Sequence, residues 1–235
     1  ENPLGVPIAG CVAVADGLGG HPRGDEASAA ACAVVAAAWP VPVNRARMRQ
    51  VPDLAWRSPE DARAVVQRAD DEVTRMGSHL TDRSRYGPGS TLTLAACYGD
   101  KVFVGHIGDC RLYLWYPDGM TQRTRDMATG HVLWRALGNW DLAEAAEQGW
   151  QKVPGTRGVG WAYTPYDAEA FVLRPGGALL VVSDGVWGAL TDEEIAAFDY
   201  HADPQAAAQA LVEAAVAAPG TDNATAAVLA LDPVS

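Results

Sequence analysis

Residues 90–98 (STLTLAACY) and 101–107 (KVFVGHI) are rich in β-branched and apolar side chains, and only Gly99 and Asp100 separate them. So short a connection returns the chain antiparallel to itself, because a parallel neighbour needs a crossover of about a dozen residues or more. The pattern recurs. Residues 111–116 run into a turn at Pro117-Asp118-Gly119, and further strand-like runs stand at 169–174, 178–183 and 224–231. Residues 10–15 (GCVAVA) form a short apolar run that ends at Asp16 and a glycine-rich turn, the form of a buried strand feeding a loop.

Helix signals flank these strands. Residues 25–39 are Ala-rich until Pro40 stops them. Ser58-Pro59-Glu60-Asp61 supplies a capping Ser, a Pro at the first helical position and an acid at the third. Ala62, Val65, Val66, Ala69, Val73 and Met76 follow at helical spacing, and Gly77 closes the helix. Thr191-Asp192-Glu193-Glu194 reads as a capping box, and a further helix is expected over 204–217. Residues 120–168 are rich in Gly and Trp without a sustained period and read as loop, with one short helix near 141–148. Hairpin-linked strands and Ala-rich helices argue for an α+β chain in which antiparallel sheets carry helices outside them, rather than a βαβ parallel sheet.

The chain has 235 residues, 49% of them apolar, enough for one substantial core. Its formal charge is −11, from 29 acidic and 18 basic residues, with no basic stripe that could follow a phosphate backbone, so nucleic acid is not an expected partner. No run approaches the roughly 20 apolar residues of a membrane span, and no signal peptide is evident, so a soluble protein without a membrane partner is expected. Cys11, Cys32, Cys97 and Cys110 form no C-x-x-C pair. Cys11, Cys32 and Cys97 lie in apolar or Ala-rich runs and read as small buried residues of a reducing cytoplasm.

Three acids stand at the ends of apolar strands. Asp16 follows GCVAVA, Asp184 follows ALLVVS, and Asp222 with Asn223 precedes ATAAVLAL. Singly, each reads as a turn former. Jointly they pose a problem, because carboxylates at a core's edge with no Lys or Arg beside them in sequence are costly unless a cation joins them. Oxygen donors suit hard ions such as Mg²⁺ or Mn²⁺, while the scattered His and Cys have no zinc-like spacing.

The surrounding motifs carry a family resemblance. Asp16-Gly17-Leu18-Gly19-Gly20-His21 with Gly24, Ala27 and Ser28 resembles the D-G-x-G-G-H-x-x-G-x-x-A-S signature of bacterial type 2C (PPM) Ser/Thr protein phosphatases. Gly89-Ser90-Thr91, Gly108-Asp109-Cys110-Arg111, Val182-Ser183-Asp184-Gly185 and Thr221-Asp222-Asn223-Ala224-Thr225 resemble its G-S-T, G-D-S-R, S-D-G and D-N-x-T motifs, in family order. The resemblance implies a four-layer α-β-β-α sandwich of two antiparallel sheets flanked by helices, with two Mn²⁺ or Mg²⁺ ions in the cleft. It implies that Asp16 bridges both ions, that the Gly17 carbonyl binds one, and that Asp184 and Asp222 complete the site, with water between the ions as nucleophile. It further implies phosphoprotein substrates, a cognate Ser/Thr kinase and a cytoplasmic setting. Thr124-Arg125-Asp126-Met127 falls where the family has T-x-D-H-S, which makes Asp126 the expected ligand of a third, weaker ion beside Asp184.

The chain also departs from the pattern. Met127 and Ala128 replace the His and Ser of that motif, and Val132-Leu133-Trp134-Arg135-Ala136-Leu137-Gly138, resembling V-L-T-R-A-L-G, follows early. A single phosphatase domain over 1–235 is therefore expected, with a shortened or incomplete flap near 124–168. No Arg precedes Asp16, so the family's R-x-x-N-E-D-like motif, whose Arg clamps phosphate, is expected to be missing, with Glu1-Asn2 as its remnant tail and Arg23 as a substitute clamp to weigh. His21 reads as structural, and Asp109 and Arg111 as a local ion pair that fixes a turn. A pseudophosphatase or binding module that keeps the fold without efficient catalysis is the alternative these departures raise.

Overall fold

The computed structural model describes residues 9–39, 58–77, 87–129, 132–133, 135–140, 170–219 and 222–231. In chain order the elements are β1 (Ala9–Val14), α1 (Gly24–Ala38), α2 (Pro59–Gly77), β2 (Leu92–Tyr98), β3 (Lys101–Ile107), β4 (Arg111–Tyr116) and β5 (Gly119–Gln122). Four two-residue strands follow: β6 (Ala128–Thr129), β7 (Val132–Leu133), β8 (Arg135–Ala136) and β9 (Asn139–Trp140). Then come β10 (Ala170–Val172), β11 (Ala178–Val182), α3 (Asp184–Trp187), α4 (Asp192–Ala196), α5 (Pro204–Ala217) and β12 (Ala226–Ala230). Glu1, Asn2 and the helix expected near 141–148 lie outside the described residues, as does much of the flap region.

Two four-stranded sheets form, in the orders β1-β2-β3-β10 and β12-β11-β4-β5, with every pairing antiparallel. The β2–β3 hairpin turns at Gly99, whose φ of +66° is a left-handed conformation that glycine adopts without penalty. Alternation along the strands then builds the layers. On β2, Leu92, Leu94 and Ala96 pack against Ala27, Ala31 and Val35 of α1 and Ala62, Val66 and Val73 of α2. Ala95 and Cys97 turn the other way, toward Leu179 and Val181 of β11. Leu180 and Val182 of β11 face out to Leu211 and Ala215 of α5. The result is the expected four-layer sandwich. Leu92, Leu94, Leu179 and Leu180 are each fully buried, contributing about 2 kcal/mol apiece from removal of apolar surface from water.

Local signals set the ends of several elements. Thr191 and Glu194 form the reciprocal capping box of α4, and the Asp203 side chain accepts from the Ala206 N–H at the start of α5. Two readings need correction. Residues 119–122 form β5, an edge strand whose sequence, GMTQ, lacks an apolar face and so resembles loop. Cys32 is exposed, because α1 is an outer layer and buries the stripe of Ala27, Ala31, Val35 and Ala38 instead. Among the described residues, no helix is long and apolar enough to cross a membrane.

Candidate metal centre

Asp16 lies just past β1, where the loop it opens is laid along residues 89–91. The Asp16 carbonyl accepts the Thr91 N–H at 2.8 Å and the Ser90 hydroxyl at 2.9 Å. Its own N–H donates to Thr91 Oγ1 at 2.9 Å, and the Leu18 N–H donates to the Gly89 carbonyl at 3.0 Å. In this antiparallel bridge between Gly17 and Ser90 the ladder bonds fall on the residues flanking Gly17, so the Gly17 carbonyl takes no part in the ladder. A side chain at Gly17 would run into the Gly24 carbonyl at the start of α1, which explains the glycine there.

A second pair of loops is stitched in the same manner. The Ser183 N–H donates to the Thr225 carbonyl and the Thr225 N–H to the Ser183 hydroxyl, both at 3.0 Å. Gly185 packs so closely on the Asn223 carbonyl that a Cβ would overlap it. Asp184, opening α3, and Asp222, just ahead of β12, are thereby brought onto neighbouring stretches of backbone although 38 positions apart in the chain. Asp222 is exposed, and its carboxylate accepts the Asn223 N–H at 2.7 Å.

The two stitched pairs meet through their acids. The Asp16 carboxyl, when protonated, hydrogen-bonds to Asp184, and the charges of Asp222 and Asp109 reach Asp16. Burial above all, then the Asp184 hydrogen bond and charge and those two further carboxylates, pushes the Asp16 carboxyl up to about 7. Asp109 is likewise pushed to about 7, first by burial and then by the charges of Asp184 and Asp126. Among the described residues no three His, Cys, Asp or Glu side chains close round one point. The acids instead form a hydrogen-bonded pair with two more carboxylates in electrostatic range. This donor set fits hard divalent cations: it is all oxygen, partly buried, mutually repelling and without a basic partner at its centre, so that added positive charge relieves the repulsion that raises these carboxyls.

Other expected residues have partners of their own. Asp126 is gripped by Arg111, whose Nε lies 3.2 Å from both carboxylate oxygens and whose Nη2 lies 2.8 Å from Oδ2, and Gln122 Nε2 donates to it at 3.2 Å. The expected turn-fixing pair between Asp109 and Arg111 is thus replaced by an Arg111–Asp126 pair. Arg111 is further fixed by the Trp187 ring, 3.8 Å below its guanidinium, and by the Tyr113 hydroxyl. Trp187 in turn donates to the Asp109 carbonyl at 2.9 Å, tying α3 to the start of β4. Met127 is buried in the core beneath α1 and α2. His21 bonds through Nδ1 to the Gly87 carbonyl at 3.1 Å, consistent with a structural role. Arg23 forks onto the Glu26 carboxylate in an exposed pair of the weak surface kind. Asp109 is the residue missed in sequence, although it carries the signal that marked the others: an acid at the end of an apolar strand, KVFVGHIG.

The protein phosphatase 2C family model matches residues 6–218. The serine/threonine phosphatase stp of Listeria innocua is 31% identical over 135 residues, which is 57% of this chain and 49% of that protein, so the matched stretch spans about half the length of this relative. Among solved structures, the catalytic domain of serine threonine protein phosphatase PstP in complex with 2 manganese ions superposes with a TM-score of 0.69 at 25% identity, covering 94% of this chain and 88% of that one. The PPM Ser-Thr phosphatase MsPP from Mycobacterium smegmatis, in complex with cacodylate, gives a TM-score of 0.65 at 27% identity, with 95% and 91% covered.

Proposed function

The chain belongs to the protein phosphatase 2C family, and from that premise we propose that it is a Mn²⁺- or Mg²⁺-dependent phosphatase that hydrolyses phosphoserine and phosphothreonine in proteins. The observation that carries the proposal is the Asp16–Asp184 carboxyl pair, flanked by Asp109 and Asp222 where the two stitched loops meet. When bound, a pair of divalent cations supplies positive charge for phosphoryl oxygens and lowers the pKa of water. The chain's part is to hold them. Asp16, the Gly17 carbonyl, Asp184 and Asp222 are the donors for two ions, and their backbones are fixed by Ser90, Thr91, Ser183 and Thr225 before any ion binds. For a third, weaker ion the better donor is Asp109 with Asp184, because Asp126 is already engaged by the Arg111 fork while burial and the nearby charges of Asp184 and Asp126 raise the Asp109 carboxyl. Arg111 serves Asp126 in a partly buried fork and is not open to orient a phosphate, whereas Arg23 makes only an exposed pair with Glu26.

Protein substrates are supported by the named activities of stp, PstP and MsPP. A Ser/Thr kinase is then the partner class that this activity opposes. A cytoplasmic setting agrees with the unpaired Cys11, Cys32, Cys97 and Cys110. We take residues 1–235 as one phosphatase domain with a shortened flap near 124–168, supported by a family match that runs through that region.

The test is phosphate release from a phosphothreonine peptide and from a nucleotide, with Mn²⁺ and with EDTA. Metal-dependent turnover of the peptide, lost in Asp184→Asn, is the expected result. Turnover of the nucleotide alone would make the protein a small-phosphoester hydrolase. Mn²⁺ binding with turnover of neither would make it a binding module.

A further inference from the structure

Asp70 lies in the middle of α2 on the face that carries Ala62, Val65, Val66, Ala69 and Val73, and it is only 3% exposed. A carboxylate on such a stripe is costly unless it is hydrogen-bonded, so the bonds it makes are informative. The Gly138 N–H donates to Asp70 Oδ1 at 2.7 Å. Gly138 has a φ of +70°, and a Cβ there would meet the Pro88 carbonyl and Val73 Cγ1, each at 2.7 Å, so this turn accepts glycine alone. The preceding residue, Leu137, exchanges hydrogen bonds with Ser90: its N–H donates to the Ser90 carbonyl at 2.8 Å, and the Ser90 N–H donates back at 3.4 Å. Ser90 is the residue bridged on its other side to Gly17, and its hydroxyl holds the Asp16 carbonyl. A continuous path of hydrogen bonds and adjacent residues therefore runs from Asp70 through Gly138, Leu137 and Ser90 to Asp16.

We propose that Asp70 is a positioning residue for the metal centre. It latches the 137–138 turn against Ser90 and so sets the Asp16 carboxylate and the Gly17 carbonyl where cations are to be held. The latch rests on the reading of Asp16 and Gly17 as metal donors. It acts from the side of Ser90 remote from the site, touching neither ion nor substrate. Its usefulness is that backbone donors cannot be fixed by side-chain packing at the glycine itself, so the constraint has to come from the next strand and from whatever holds that strand.

The experiment is calorimetric titration of Mn²⁺ into the full chain, with thermal melting of each metal-free variant. Asp70→Ala is expected to weaken Mn²⁺ binding roughly 10-fold, whereas Asp70→Asn, whose amide oxygen accepts the same N–H, stays within about twofold of the parent. Gly138→Ala attacks the latch from its other end and is expected to match Asp70→Ala, which keeps the question decidable if Asp70→Ala does not fold. Parental Mn²⁺ affinity in a folded Asp70→Ala or Gly138→Ala protein would overturn the latch, and so would equal losses in Asp70→Asn and Asp70→Ala. Asp16→Asn separates the two levels. If it binds Mn²⁺ as the parent does, the metal-site reading fails and takes the latch with it; if it loses binding while Asp70→Ala does not, only the latch fails.

Discussion

Asp16→Asn is expected to stabilise the metal-free protein while removing its activity. Without cations the Asp16 carboxyl titrates at about 7 instead of the ordinary 3.8, because it is buried beside Asp184 with Asp222 and Asp109 in range. Raising a carboxyl from 3.8 to about 7 corresponds to about 4 kcal/mol. The carboxyl is partly open to solvent, which screens its neighbours, so roughly half of this, ~2 kcal/mol, is the expected effect on folding. The fold prefers protonated Asp16, so protonation contributes stability that is fully present below 3.8 and lost as the pH rises through about 7. Asparagine is neutral throughout and escapes that loss. In EDTA at about pH 8 the variant should therefore melt higher than the parent, by about 4–8 °C for a chain of this length. The gain should shrink steadily as the pH is lowered from about 7 toward 4. With Mn²⁺ present the same variant should turn over a phosphothreonine peptide at least ~100-fold more slowly, since a charge that holds the cations is gone. Paired melting curves across pH, with and without EDTA, check both halves. An Asp16→Asn protein that melts lower than the parent at high pH in EDTA, or a gain independent of pH, would refute the claim that crowded acids oppose the metal-free fold.

Further outcomes follow from the same geometry. Asp184→Asn should also cost at least ~100-fold in Mn²⁺-dependent turnover, read on the same peptide. Asp126→Ala should leave tight Mn²⁺ binding intact in calorimetry but lower the melting temperature by roughly 4–8 °C, because Arg111 loses a charge-assisted fork worth about 2 kcal/mol. Asp109→Asn should do the reverse, removing only the weakest Mn²⁺ binding event and raising the metal-free melting temperature above neutral pH, since its carboxyl too is pushed to about 7, chiefly by burial. Gly185→Ala places a Cβ against the Asn223 carbonyl, and should weaken Mn²⁺ binding by displacing Asp222 from Asp184.

The parts of this molecule legible in its sequence are those decided within a few residues. The Gly99-Asp100 hairpin, the Thr191–Glu194 capping box and the Pro204 start of α5 each depend on local backbone chemistry, and each stands where it was expected. Edge strand β5 was not legible, because a strand that pairs on one side and packs only Met120 against the core needs little apolar alternation. The acids at strand ends were legible as a set for a physical reason. A strand packed into the sandwich can place a carboxylate only beyond its ends, so Asp16, Asp109 and Asp184 mark strand exits and Asp222 marks the approach to β12. What sequence could not assign was their partners. Arg111 stands two positions from Asp109 and 15 from Asp126, yet its guanidinium turns outward beside Tyr113 and Trp187, where β5 and the loop after it bring Asp126. That choice divides the acids by function. A carboxylate gripped by a guanidinium already has a cationic partner in the protein, whereas acids that meet one another retain a need for positive charge, and that need recommends Asp109 over Asp126 as a donor to a cation. The division is made by the strand register and the packing of α3, which depend on residues scattered across the whole chain.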